Sequence, residues 1–216
     1  LLETLDLDPK KVHVVHNGVN PNLVSIGESS AVNSPYPLVL TACRLMPHKG
    51  IDKVLHAISF LRQEFPNIQY RIVGQGPDRE RLDRIVSDLK IEAHVEFLGP
   101  VSQETLDQEY RNAHLFTMLS RQQDHHVEGF GLVFLEAALR KTASLGGDSG
   151  GVPDAIADGQ TGWLVDPLDQ EKINQKFLEI LSDREDLEKI ALKAESLTRK
   201  ERTWNSSVEK MIEAMT

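Results

Sequence analysis

The chain has 216 residues, of which 40% are hydrophobic and 26% are charged. This composition is typical of a soluble domain with a sizeable core, and it excludes collagen-like and largely disordered chains. The 24 Lys and Arg residues and 33 Asp and Glu residues give a net charge of −9, which disfavours binding to nucleic acid. The single cysteine, Cys43, allows no internal disulfide and indicates a reducing compartment.

The beginning of the chain, LLETLDLDPKK, lacks the basic and then apolar order of a signal peptide. No apolar run is long enough to cross a membrane. We therefore expect a cytoplasmic location. Next in the chain, KVHVVHNGV (11 to 19) predicts a strand that ends in an Asn-Gly turn, and residues 21–37 are rich in turn-forming residues.

From Pro37 onward, short apolar runs alternate with amphipathic segments of helical period. Strands are predicted at 38–45, 69–76, 95–99, 115–120 and 162–166, with a weaker one at 141–147. Helices are predicted at 51–65, 78–90, 102–113, 132–140 and 169–183, followed by a terminal helix at 203–215. Strands separated by helices predict a doubly wound parallel α/β sheet with helices on both faces.

The loop after the first strand contains two cations. Arg44 ends the strand and Lys49 opens the next helix. In such sheets the ligand crevice lies beyond the carboxyl ends of the strands, so these side chains and the helix dipole are suited to bind phosphate. The alternative is a pair of solvated surface cations, which is the commoner fate of Arg and Lys.

The stretch EGFGLVFLE (128 to 136) is the second candidate. Gly129 and Gly131 allow the backbone to approach a ligand closely. Glu136 is the only charge in LVFLEAAL, so we expect an enclosed carboxylate with a hydrogen-bonded partner. A ribose of a ligand would be such a partner; an internal ion pair or a cap on a neighbouring loop is the alternative.

Other chemistries have little support in the sequence. The turn GQGP (74 to 77) is a weak signal alone, and neither GxGxxG after the first strand nor GxxxxGK[ST] occurs. Asp124, His125 and His126 are adjacent on a loop and lack a second ligand cluster, which disfavours a metal site. Ser149 lacks a nucleophile elbow, and Cys43 is interpreted as a small core residue.

Taken together, these motifs resemble the retaining family 4 glycosyltransferases of GT-B fold. The resemblance runs from HNGVN to the terminal helix and concerns the carboxyl-terminal, nucleotide-sugar-binding half of such enzymes. It implies a Rossmann-like fold, with residues 1–36 as the end of the amino-terminal domain and its linker, and residues 37–216 as the donor-binding domain. The motifs that carry it are Arg44 with Lys49, Gly74-Gln-Gly-Pro77, the Glu128 to Glu136 spacing, and Gly150-Gly-Val-Pro-Asp154 followed by DGQTGWLVDP.

The resemblance implies a role for each site residue. Arg44 and Lys49 would hold the diphosphate and stabilise the leaving group, and Glu128 would contact hydroxyls of the transferred sugar. Glu136 would accept the ribose hydroxyls. The remaining donor-binding positions are Gly74, the backbone of Val101 against the base, and the amides of Gly129, Phe130, Gly131 and Leu132.

The implied activity is transfer of a hexose or N-acetylhexosamine from a nucleoside diphosphate sugar, as in polysaccharide biosynthesis. UDP-sugars are favoured over GDP-sugars as donors. The acceptor, a glycan or a lipid-linked sugar, would bind through the amino-terminal domain, which would also bear any surface that associates with the inner face of the membrane. No protein nucleophile, separate cofactor or metal is implied, and the fragment alone is expected to be inactive. The alternatives are a GT-B synthase acting on a soluble sugar acceptor and a non-catalytic module that binds sugar nucleotides.

Overall fold

The computed structural model describes residues 8, 12–24, 31 and 35–215. Its centre is a six-stranded sheet. The strands are β1 (Leu38–Ala42), β2 (Gln69–Val73), β3 (Val95–Gly99), β4 (Leu115–Met118), β5 (Ala143–Gly147) and β6 (Trp163–Val165). All neighbours pair in parallel in the order β3-β2-β1-β4-β5-β6, so the order reverses between β1 and β4. This confirms the predicted doubly wound sheet.

Helices cover both faces of the sheet. Adjacent residues of β1 show this, because Val39 and Leu40 are both fully buried but belong to different apolar clusters. The first cluster includes Leu55 and Phe177, and the second includes Phe134. The helices are α1 (Ile51–Leu61), α2 (Arg79–Leu89), α3 (Gln103–Asn112), α4 (Leu132–Ala138), α5 (Val152–Ala155), α6 (Gln170–Ser182), α7 (Arg184–Glu201) and α8 (Trp204–Met215).

Helix starts follow from local side-chain chemistry. Ser102 precedes α3, and its Oγ accepts a hydrogen bond from Thr105 N at 3.1 Å. Asp169 caps α6 in the same way through Lys172 N. Because these side chains satisfy backbone donors that the helix leaves unpaired, they fix where each helix begins.

The prediction of a strand over residues 11–19 is wrong for the part of that segment that the structure describes. Residues 12–18 form no strand, and Val19 makes only an isolated bridge with Thr203. Val19 N donates to Arg202 O at 2.9 Å, and Trp204 N donates to Val19 O at 3.2 Å. The segment therefore hydrogen-bonds to the α7–α8 junction instead of to a neighbouring strand. Most of the turn-rich stretch 21–37 lies outside the described residues.

In the second half of the chain, one prediction is confirmed and one long helix is not predicted. The segment 141–147, predicted as a weak strand, contains β5, which is fully buried and pairs with β4 and β6. Helix α7 occupies Arg184–Glu201, where no helix is predicted from the pattern. The predicted helices before it begin within one residue of the observed ones, although α1 ends four residues earlier than expected, at Leu61.

Candidate functional site: a crevice at the β1–β4 switch point

The crevice at the β1–β4 switch point is bounded by the segments that follow these two strands. Arg44 comes just after β1 and is exposed. It lines a cavity of about 610 Å³ with Gln75 and Gly76. Among the described residues, the Arg44 guanidinium has no hydrogen-bond or ion-pair partner. Its charge is therefore available to an anion in the crevice.

Lys49 and Glu128 meet across this switch point. Lys49 ends a 3₁₀ turn (Pro47–Lys49) after β1, and Glu128 lies in the loop after β4. Their Nζ and Oε2 atoms are 2.5 Å apart, and the side chains are only 18% and 13% exposed. Ser120 Oγ lies 3.5 Å from the same carboxylate oxygen. The ion pair thus places a cation and a carboxylate side by side.

Cys43 lies beside this ion pair. Burial raises the pKa of its thiol to about 12; the charge of Lys49 lowers it and that of Glu128 raises it. The thiol is therefore protonated at neutral pH and is a poor nucleophile.

Asp52 and Arg121 join the first turn of α1 to the loop after β4. The Arg121 guanidinium donates two hydrogen bonds of 2.9 Å to the Asp52 carboxylate, and Arg121 N donates to His48 O at 2.9 Å. Burial raises the pKa of Asp52, but the hydrogen bonds and charge of Arg121, with the charge of Arg81, outweigh burial and lower it overall. The ionised carboxylate holds the first turn of α1 against the loop after β4.

Residues 128–131, which precede α4 and are called the glycine loop below, pack against the Gly150-Gly151 pair. Gly151 N donates to Glu128 O at 2.8 Å. A Cβ atom at Gly151 would lie 2.0 Å from the carbonyl oxygen of Gly129, so no larger residue fits there without moving the loop. This contact holds the backbone that carries Glu128, Gly129 and Phe130. The Gly150-Gly151 pair therefore helps to shape the crevice.

Glu136 lines a second cavity, of about 310 Å³, together with Arg44 and Gly74. Tyr110 Oη donates a hydrogen bond of 3.2 Å to Glu136 Oε2. Burial and then the charge of Glu136 raise the pKa of Tyr110 well above its usual value, so the phenol remains a donor. Within the part of the chain that the structure describes, Glu136 therefore has one internal partner, the hydroxyl of Tyr110, and not an ion pair. Glu136 also lines the cavity, where a ligand could be a second partner.

Val101 does not line this second cavity. It is half-buried and packs against the apolar cluster on that face of the sheet, whereas the preceding residue, Pro100, lines the cavity. The predicted backbone contact of Val101 with a base stays a prediction.

A third cavity, of about 580 Å³, brings Glu128, Gly129, Phe130, Gly131 and Leu132 together with residues 14–17 and Asp154. His16 stacks on Phe130, with ring centroids 5.2 Å apart and an interplanar angle of 11°. His16 Nε2 lies 3.5 Å from Asp154 Oδ2. The sequence pattern does not associate His16, Asn17 or Asp154 with the glycine loop, because no local motif links positions so far apart in the chain.

The described residues contain no group of three or more His, Cys, Asp or Glu side chains arranged to hold a metal ion. No helix in the described part of the chain has the length and apolar character needed to cross a membrane.

A parallel sheet of this strand order, with a crevice at its switch point, is a Rossmann-like domain, and it matches the fold of GT-B glycosyltransferases. The family model described as "Glycosyl transferases group 1" matches residues 25–197. The chain therefore belongs to the group 1 glycosyltransferase family.

Individual proteins agree with this assignment. The chain is 37% identical over 149 residues to the GDP-mannose-dependent alpha-(1-6)-phosphatidylinositol monomannoside mannosyltransferase of Mycolicibacterium smegmatis, covering 68% of this chain and 39% of that protein. It is 35% identical over 181 residues to a D-inositol 3-phosphate glycosyltransferase of Streptomyces scabiei, covering 76% and 40%. The chain spans about two fifths of the length of these curated relatives.

A solved structure shows the same fold. A mutant of S. aureus TarM, in complex with Fondaparinux, alpha-GlcNAc-glycerol and UDP, superposes with a TM-score of 0.83 at 19% sequence identity. The match covers 100% of this chain and 41% of that one.

Proposed function

We propose that this chain is the donor-binding domain of a retaining glycosyltransferase. The enzyme transfers a hexose or N-acetylhexosamine from a nucleoside diphosphate sugar to a glycan or lipid-linked acceptor. Residues 1–36 are the end of the amino-terminal domain and its linker, and residues 37–216 bind the donor. Two observations carry the proposal: the Lys49–Glu128 ion pair joins the loops that follow β1 and β4, and Arg44 and Glu136 line one cavity together.

The arrangement matches the chemical parts of a sugar nucleotide. Arg44 and Lys49 bind the diphosphate, and Glu136, held by Tyr110, accepts the ribose hydroxyls. The carboxylate of Glu128, which touches Lys49, binds hydroxyls of the sugar. Lys49 and Glu128 therefore lie on the two sides of the bond between the sugar and the diphosphate.

The chain supplies electrostatic stabilisation to the leaving group. As that bond breaks, negative charge grows on the diphosphate, and the two cations stabilise it. The acceptor attacks the face from which the diphosphate departs, and a phosphate oxygen of the leaving group takes the acceptor proton. No nucleophile is required from this half of the enzyme.

The proposal also concerns the identity of the donor's nucleoside and sugar. The sequence resemblance favours UDP, whereas the name of the M. smegmatis relative specifies GDP-mannose. The same relative's acceptor, phosphatidylinositol monomannoside, motivates a lipid-linked acceptor and a full-length protein that acts at the cytoplasmic face of a membrane. GDP-mannose is therefore the first donor to test, with UDP-sugars beside it.

The test is a calorimetric titration of the 216-residue chain with GDP, UDP, ADP and pyrophosphate. We expect binding of at least one nucleoside diphosphate, weakened about tenfold by Arg44→Ala because one charge-assisted contact is lost. Arg84→Ala is the matched control, since this arginine is exposed on α2. Absence of binding at millimolar ligand would refute the proposal.

A second candidate is transfer to a soluble sugar phosphate, and the S. scabiei relative named D-inositol 3-phosphate glycosyltransferase favours it. Transfer assays with the full-length enzyme and both acceptor classes separate the two. The 216 residues alone should not transfer sugar at a useful rate, because catalysis depends on holding both substrates in one closed cleft. Binding without transfer by the full-length protein would instead indicate a non-catalytic module.

A further inference from the structure

The segment before β1 shares a cavity with the glycine loop. His16 and Asn17 line the same 580 Å³ space as Glu128, Gly129 and Phe130. Asp154, in α5, also lines it. In the proposed function, Glu128 and Gly129 contact the transferred sugar. The side chains of His16 and Asp154 therefore face the space in which that sugar would lie.

The backbone around His16 is held in place from the other side. Ser207 Oγ donates a hydrogen bond of 2.8 Å to His16 O. Gly18 lies so close to the α7–α8 junction that a Cβ atom there would be 2.2 Å from the carbonyl carbon of Thr203. Together with the bonds of Val19 to Arg202 and Trp204, these contacts fix the position of residues 16–19. The histidine is thus presented by a fixed backbone.

The His16 side chain retains hydrogen-bonding capacity. Its ring stacks on Phe130, and its Nε2 atom faces the Asp154 carboxylate at 3.5 Å. No residue in the described part of the chain hydrogen-bonds to Nδ1. The His16 and Asp154 side chains are 32% and 54% exposed, so both are accessible from the cavity. An imidazole beside a carboxylate offers a donor and several acceptors, the combination that recognises adjacent sugar hydroxyls.

We propose that His16 and Asp154 bind hydroxyl groups of the transferred hexose and help to select the donor sugar. This inference rests on the proposed function and deepens it, because it adds residues from outside the predicted donor-binding positions to the sugar subsite. The nucleoside diphosphate itself makes no contact with the pair. Loss of either side chain therefore affects sugar nucleotides and leaves the corresponding nucleoside diphosphates unaffected.

The test compares two dissociation constants for each variant of the 216-residue chain, with GDP against GDP-mannose and UDP against UDP-glucose. His16→Phe keeps a ring to stack on Phe130 but removes both nitrogens, and Asp154→Leu roughly keeps the size of the side chain but removes both oxygens. We expect each change to weaken the sugar nucleotide about fivefold relative to its diphosphate, the effect of one lost hydrogen bond. His13→Phe, at an exposed position of the same segment that does not line the cavity, should leave this ratio unchanged.

The outcomes are distinguishable. If His16→Phe leaves the ratio unchanged while the diphosphate still binds, the inference is wrong and the proposed function stands. An equal loss for both ligands together with a lower Tm would show that His16 is only a structural clamp on Phe130, which also overturns the inference. Failure of the unaltered chain to bind either diphosphate would refute the proposed function and this inference with it.

Discussion

Lys49 and Glu128 form a mostly buried ion pair between the loops that follow the two central strands. A cation that binds phosphate is most effective when no protein carboxylate neutralises it. Here the carboxylate that neutralises Lys49 also belongs to the proposed sugar subsite. The pair therefore couples the phosphate and sugar halves of the crevice, and each partner should affect a different part of the ligand.

Changes at this pair should act on pyrophosphate in opposite directions. Lys49→Met should lower the affinity for pyrophosphate about tenfold, because one charge-assisted hydrogen bond is lost. Glu128→Gln should tighten it by about twofold to fivefold, because Lys49 is no longer neutralised. Calorimetry measures both, and Lys53→Met, in the first turn of α1, is the control. The same direction of change for both variants would contradict an ion pair that controls the charge of the site.

Glu136 should matter for the ribose and not for the phosphates. Glu136→Ala is expected to weaken nucleoside diphosphate binding about tenfold and to leave pyrophosphate within about twofold, because pyrophosphate has no hydroxyls to lose. Tyr110→Phe should have a smaller effect of the same kind, since it removes only the hydrogen bond that orients the carboxylate. Glu104→Ala, exposed on α3, is the control. Equal losses for both ligands would indicate that Glu136 is structural.

The fold was predictable where apolar residues follow one period. In α1, Ile51, Val54, Leu55 and Ile58 form a continuous buried face of large side chains. Helix α7 lacks that signal, because its buried residues include small or polar ones such as Ala191, Ala194 and Thr198. Its position depends on packing against β5 and α4, which the local pattern does not contain.

The sequence predicted which residues line the candidate site but not which of them contact each other. Arg44, Lys49 and the glycine loop follow from strand ends and turn residues alone. The contact of Lys49 with Glu128 joins residues 79 positions apart, and that of Tyr110 with Glu136 joins residues 26 apart. Such contacts arise from the strand order, which the sequence pattern leaves open.

His114 should make folding stability depend on pH. It is buried, its Nδ1 accepts a hydrogen bond from Leu38 N, and burial followed by the charge of Arg184 lowers its pKa from 6.5 to about 4. As the pH falls below about 6.5, His114 therefore becomes protonated in the unfolded chain but stays neutral in the folded chain. The contribution to stability is fully present above about pH 6.5 and is lost towards pH 4, by about 3 kcal/mol.

Urea unfolding at about pH 7.5 and about pH 5 measures this dependence. In His114→Asn, the amide oxygen can still accept from Leu38 N but does not titrate, so the loss of stability between the two pH values should be smaller than in the unaltered chain. An equal loss in both proteins would exclude His114 as the cause.

Binding of the nucleoside diphosphate should persist in excess chelator. Arg44 and Lys49 provide the positive charge that a divalent ion supplies in other phosphate sites. Titrations with and without EDTA should therefore give dissociation constants within about twofold of each other. A large loss of affinity that magnesium or manganese restores would show that the crevice needs a metal ion.

The order of the strands has a consequence for folding during synthesis. β1, β2 and β3 are neighbours both in sequence and in the sheet, so this half can assemble while the rest of the chain is still being made. The other edge of β1 pairs through Val39 with Leu115, a residue 76 positions later (115 − 39). Until β4 arrives, that edge has unpaired backbone groups which other nascent chains can join. The crevice lies where β1 pairs with β4, so the nucleotide of the proposed function would bind only after the two halves of the sheet have met. Its binding would then favour the completed fold over the half-assembled one.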